Sequence, residues 1–99
     1  MSTDDTECFM FIDDFINKLD GLEPESWLLN RVQNKPIFVN DKKYILNVWV
    51  EDIAQGKLLI VEVMRKNLFF ETSVSKGILF DGEHYKKLTQ EEMWDIGIS

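Results

Sequence analysis

Ninety-nine residues make one domain and leave no room for two, and a 44% hydrophobic share with twelve aromatics supplies a core without staples. Eighteen acids against eleven bases give a net charge of −7, which argues against the clustered lysine and arginine that DNA, RNA or an anionic membrane surface requires. A single cysteine excludes an internal disulfide and fits a reducing compartment.

The first fourteen residues, MSTDDTECFMFIDD, are acidic where a signal peptide is basic. No apolar run reaches the roughly 18–20 residues of a membrane span. A soluble cytoplasmic protein is the expectation. The charge is uneven: −6 over residues 1–34, +2 over 35–79 and −3 over 80–99.

The first element reads as a helix. Ser2 or Thr6 is placed to cap it, and Asp4, Asp5 and Glu7 complement its dipole. Cys8, Phe9, Phe11, Ile12, Phe15, Ile16 and Leu19 recur at three- and four-residue spacing, with Asp13, Asp14, Asn17, Lys18 and Asp20 mostly opposite, and Gly21 closes the element. A second, shorter helix is expected in PESWLLNRVQN, with Pro24 in its first turn and Asn34 at its stop. Trp27, Leu28 and Val32 share one face of it and Leu29 lies off that face, which suggests cover on two sides.

From Ile37 the period becomes two. Expected strands are IFV, YILNVWVEDI, LLIVEV, LFFET, GILF and EHY, separated by turns at 40–43, 54–56, 65–67 and Asp81-Gly82. A run of adjacent hairpins is an antiparallel meander. Thr89 and Glu92 then form a capping box, Leu88 and Met93 the matching staple, and Gly97 ends a short helix. The whole chain, 1–99, reads as a single α+β domain: two N-terminal helices packed on an antiparallel meander of about four to six strands, with a short C-terminal helix.

A two-residue turn at Gln55-Gly56 would set Val50 opposite Val61, Val48 opposite Val63 and Leu46 opposite Arg65. That face, with Leu59, is apolar and seats the first helix. Each such side chain contributes roughly 1.5–3 kcal/mol on burial, before entropy. The other face would pair Trp49 with Glu62, Glu51 with Ile60 and Asn47 with Met64, and also carries Ile45 and Leu58. Interface cores favour Trp and Met inside a polar rim. A partner-binding face centred on Trp49, Ile60 and Met64 is one expectation; cover by the C-terminal helix, through Met93 and Trp94, is the other. Between the middle strands, a three-residue turn is preferred, because a two-residue turn would oppose Glu62 to Glu71.

Catalytic chemistry is sparse. His84, the only histidine, lies near Asp81 and Glu83, but an exposed hairpin histidine is the commoner arrangement. Cys8 sits on the apolar stripe, where burial outweighs nucleophilic duty. Carboxylate pairs occur at Asp4-Asp5, Asp13-Asp14, Glu51-Asp52 and Glu91-Glu92, yet helix neighbours diverge by about 100° and strand neighbours point to opposite faces. No zinc spacing, calcium loop or phosphate-binding glycine run is present. No catalytic residue, metal or cofactor is therefore expected.

Two functional readings follow. In the first, a small acidic protein occludes a basic protein partner such as a toxin or nucleic-acid enzyme, without touching nucleic acid or membrane itself. Immunity proteins, antitoxins and phage-encoded inhibitors have this profile, though no motif here identifies one of them. Trp49, Ile60, Met64, Glu51 and Glu62 would form the contact, and Asp13, Asp14 and Asp20, with Asp4, Asp5, Glu23 and Glu25, would steer a cationic surface toward it. In the second, Phe11, Phe15, Trp27 and Phe38 line a cleft for a small ligand or a reaction between the sheet and the N-terminal helices. A homodimer through an edge strand or the mixed face is a variant of the first.

Overall fold

Residues 3–39, 41–66 and 71–96 are described by the computed structural model, without the side chains of 3–8, 66 and 72. Helix α1 spans Thr3–Leu19 and α2 Pro24–Leu28. Strands β1 (Val32–Val39), β2 (Lys42–Ile53), β3 (Gly56–Lys66), β4 (Glu71–Phe80) and β5 (Tyr85–Leu88) follow, then α3 (Gln90–Asp95). The five strands lie side by side in chain order, every pair antiparallel. This is the expected α+β meander. LFFET and GILF are not two strands: residues 71–80 form one, so six expected strands become five.

The first sheet face is the apolar one. Leu46, Val48, Leu59, Val61 and Val63 are buried there under Ile12, Ile16 and Leu19 of α1, with Val50 partly buried beside them. Trp27 of α2 closes this core: its Nε1 donates to the Leu19 carbonyl at 3.2 Å, and its ring meets Tyr85 edge-on. Of the apolar stripe read on α1, Ile12, Ile16 and Leu19 are buried and Phe11 and Phe15 partly so, whereas Phe9 is 40% exposed. Thr6 does not cap the helix, because helical backbone already begins at Thr3. The proposed cap at Ser2 and the side chains of Asp4, Asp5, Glu7 and Cys8 lie outside the described residues, as do Asn40 and Gly97.

The second helix is shorter than its sequence suggests. It ends at Leu28, and Val32 already pairs with Val48 in the sheet. Asn34 does not stop a helix. It takes a left-handed conformation (φ +54°) within the irregularity between Val32 and Lys35, a role asparagine tolerates better than most residues. With the helix cut short only Trp27 is buried, and Leu29 is 87% exposed.

Strand register differs from expectation at each middle turn. The β2–β3 turn is Ala54-Gln55, with Gly56 opposite Ile53, so Val50 faces Leu59, Val48 faces Val61 and Leu46 faces Val63. A shift of two residues leaves the two faces unchanged. On the second face, Trp49 meets Ile60, Glu51 meets Leu58 and Asn47 meets Glu62. Gly56 begins β3 opposite Ile53, and only glycine fits there, because a Cβ would lie 2.1 Å from the Phe80 carbonyl oxygen. Between β3 and β4, Lys66 pairs with Glu71 and Glu62 with Ser75, so the three-residue turn is not adopted, and Val63 meets Val74. Residues 67–70, including the expected return through Leu68, Phe69 and Phe70, lie outside the described residues.

The last hairpin is also wider than a two-residue Asp-Gly turn. Phe80 pairs with Tyr85, and Asp81 Oδ1 accepts from the backbone N–H of Glu83 and of His84. His84 therefore sits in the turn, exposed, and not on a strand. The C-terminal capping box forms as read: Thr89 Oγ1 accepts from Glu92 N–H, and the Glu92 carboxylate accepts from Thr89 N–H.

These two turns predict an acid response. The Thr89 N–H holds the Glu92 carboxyl below its usual range, and the N–H groups of His84 and Glu83 do the same for Asp81. A carboxyl lowered on folding stabilises fully above its unfolded pKa, about 4, and loses that contribution as pH falls through the folded value. The melting temperature is expected to fall below about pH 4, less steeply in Glu92→Gln. Circular-dichroism melts across acid pH check this; equal slopes for both proteins would contradict it.

Candidate surface on the second sheet face

Strands of twelve and eleven residues run about 40 Å, whereas the seventeen residues of α1 rise only about 25 Å and the six of α3 about 9 Å. The sheet outreaches its helices. On the second face the consequence is a division into two halves.

The first half is covered by α3. Met93 is buried against Leu58, Ile60 and Leu88, with Trp49, Ile53, Leu79 and Ile96 partly buried around them. Gly77 of β4 makes this docking possible: a Cβ there would lie 2.8 Å from Met93 Sδ and 2.8 Å from the Leu59 carbonyl oxygen. The C-terminal helix therefore packs opposite α1, and helices cover both faces of the sheet.

No described helix lies over the other half. Its residues come from β1 (Pro36, Phe38), β2 (Ile45, Asn47, Trp49), β3 (Glu62, Met64) and β4 (Ser73, Ser75), all of the same strand parity. Phe38 is 72% exposed, and Ile45, Trp49 and Met64 are half-buried. The polar residues among them are held in place. Asn47 Oδ1 accepts from the Asn34 N–H at 2.8 Å, while Asn47 Nδ2 donates to Glu62 Oε1 at 3.3 Å and lies 3.7 Å from Met64 Sδ. Trp49 Nε1 donates to Glu51 Oε1 at 2.9 Å. Beside Trp49, the irregular start of β1 opens a cleft of about 480 Å³ lined by Arg31, Val32, Gln33 and Asn47.

The expected site residues thus separate into three groups. Trp49, Met64, Glu51 and Glu62 come together on this surface. Ile60 shares their parity but lies under α3, 1% exposed, in the second core. Asp13 and Asp14 stand on α1 and Asp20 directly follows it, on the far side of the sheet. Asp13 pairs with Lys76, and Asp20 lies 3.5 Å from Lys87, which also donates to Asn17 at 2.7 Å. Two of the three acids thus tie α1 to β4 and β5, and Asp14 is exposed.

The aromatics named for a cleft do not converge. Phe11, Phe15 and Trp27 pack into the first core, whereas Phe38 points from the second face. The sequence reading missed Phe38 as a surface residue. The pairing of Val39 with Lys42 sets Ile37 and Val39 inward and Phe38 outward. Among the described residues, no helix is long and apolar enough to cross a membrane, and no three His, Cys, Asp or Glu side chains gather as metal ligands. Comparison with protein-family models, curated proteins and solved structures returns no match.

Proposed function

We propose that the protein acts by binding a basic protein partner through the open half of the second sheet face. The observation that carries this reading is the cluster of exposed Phe38 with half-buried Ile45, Trp49 and Met64, rimmed by the hydrogen-bonded Asn47, Glu51 and Glu62. Aromatic residues and methionine dominate the centres of protein interfaces, and groups held before binding lose little entropy on it. The net charge of −7 supplies the field that draws a cationic partner. Asp14 and its neighbours on α1 act through that field, because the sheet separates them from the contact. Occlusion of a toxin or nucleic-acid enzyme in the cytoplasm, in the manner of immunity proteins, antitoxins or phage-encoded inhibitors, is the specific form of the proposal.

The test is affinity capture from the native cell, followed by reconstitution with the purified captured protein. Trp49→Ala, its fold checked by circular dichroism, is expected to weaken affinity by at least tenfold, the scale of a central aromatic anchor. Glu62→Gln is expected chiefly to slow association and to blunt its salt dependence. Capture of no basic protein, or equal affinity of wild type and Trp49→Ala, would overturn the reading.

A further inference from the structure

Strand β4 is ten residues long, but β5 pairs only with its last four, Gly77–Phe80. After Leu88 the chain leaves the sheet at Thr89 to form α3. Residues 71–76 therefore have β3 on one side and no described strand on the other. The Ser75 N–H points to that open side, where the Gln90 Oε1 accepts it at a long 3.4 Å. Alternation along an antiparallel strand sends the N–H and C=O of Ser73 the same way.

This edge lies along a groove of about 560 Å³ lined by Phe9 of α1, by Ser75 and Lys76 of β4 and by Gln90, Glu91 and Trp94 of α3; the Lys76 ammonium lies over the Phe9 ring and pairs with Asp13. Phe9 and Trp94 are 40% and 58% exposed. The contrast with the outer edge of β1 is instructive. There Pro36 removes a donor, Asn34 breaks the register and Lys35 adds charge, all devices that discourage strand pairing. Residues 71–76 contain no proline and pair with β3 without a break.

We propose that this edge accepts an extended, basic segment of a protein partner as an added strand in line with β5. The backbone of Ser73 and Ser75 specifies an extended chain, and alternate side chains of that chain fall toward Phe9 on one side and Trp94 on the other. With Lys76 neutralised by Asp13, Glu91 is the groove's unbalanced charge, and together with the net charge of −7 it favours a cationic segment over a second copy of this chain. Gln90 holds the site until the strand displaces it.

The probe is a synthetic nine-residue peptide of alternating valine and lysine, with a valine–glutamate peptide as its control. Binding is followed by amide chemical shifts at Ser73 and Ser75 and by Trp94 fluorescence. Ser73→Pro removes only an outward donor of an edge strand and is expected to weaken binding at least tenfold with an unchanged melting temperature. Should Ser73→Pro disturb the fold, Trp94→Ala, at an exposed side chain, is expected to weaken binding as well. Trp49→Ala is expected to bind the peptide like wild type, which separates this inference from the open-face proposal. Failure of the lysine peptide to bind, equal binding by Ser73→Pro and wild type, or equal binding of the glutamate peptide overturns it. So does a dimer in sedimentation that Ser73→Pro abolishes, which would assign the edge to a second copy.

Discussion

Trp27→Ala is expected to destabilise the protein by about 3–5 kcal/mol, the usual loss for truncating a fully buried large aromatic. Trp27 has no exposed surface, and three parts of the fold meet at it. Its indole N–H donates to the Leu19 carbonyl at the end of α1, which also accepts from the Leu22 N–H. Its ring rests edge-on against Tyr85, which stacks in turn on Phe80. Helix α2 is only five residues long and does not persist without such packing. Trp27→Phe, which keeps most of the apolar area and loses the hydrogen bond, is expected to lose less, with about 1 kcal/mol assigned to the bond. Urea unfolding measures both as a lower midpoint at constant slope. A loss below about 1 kcal/mol for the alanine variant would contradict the placement of Trp27 at the end of the first core.

Met93→Ala is expected to cost about 2–5 kcal/mol and to do so by releasing α3. A six-residue helix is held by tertiary packing, and Met93 is its one buried residue. The side chain lies in the hollow that Gly77 leaves between Leu58, Ile60 and Leu88. Loss of that contact uncovers Ile60 and the partly buried side of Trp49. In a Trp94→Phe background, where Trp27 stays in the first core, the tryptophan emission is expected to move to longer wavelength as Trp49 meets water. Unchanged stability and emission would show that α3 is not what covers this half of the sheet.

Elements governed by near neighbours were legible in the sequence. The α1 stripe from Phe11 to Leu19, the Thr89–Glu92 box and the apolar alternation of β2 and β3 each depend on residues close in sequence, and the structure forms all three. What was not legible depends on distant backbone. Asn34 carries the same preference for left-handed backbone in a helix stop as in a bulge, and only pairing with β2 decides between them. Gly56 reads as a turn glycine until Phe80 arrives beside it from β4. The candidate surface shows the same limit more sharply. Ile60 and Met64 sit on one strand with identical parity, so the pattern that marks one marks the other. Which of them α3 covers is set by Gly77, distant in sequence from both, and by the shortness of the helix. The acids of α1 were visible as charge, but their partners Lys76 and Lys87 come from the far end of the chain.

The open half of the second face can be tested by oxidative footprinting of the reconstituted complex with hydroxyl radicals. Phe38, Trp49 and Met64 report on that face, and Met10, 64% exposed on α1 across the sheet, reports on the acidic side. Binding through the open face predicts that Phe38, Trp49 and Met64 are protected in the complex while Met10 oxidises at its free rate. Protection of Met10 with Trp49 and Met64 oxidised as in the free protein would contradict it and move the contact to the acidic face of α1.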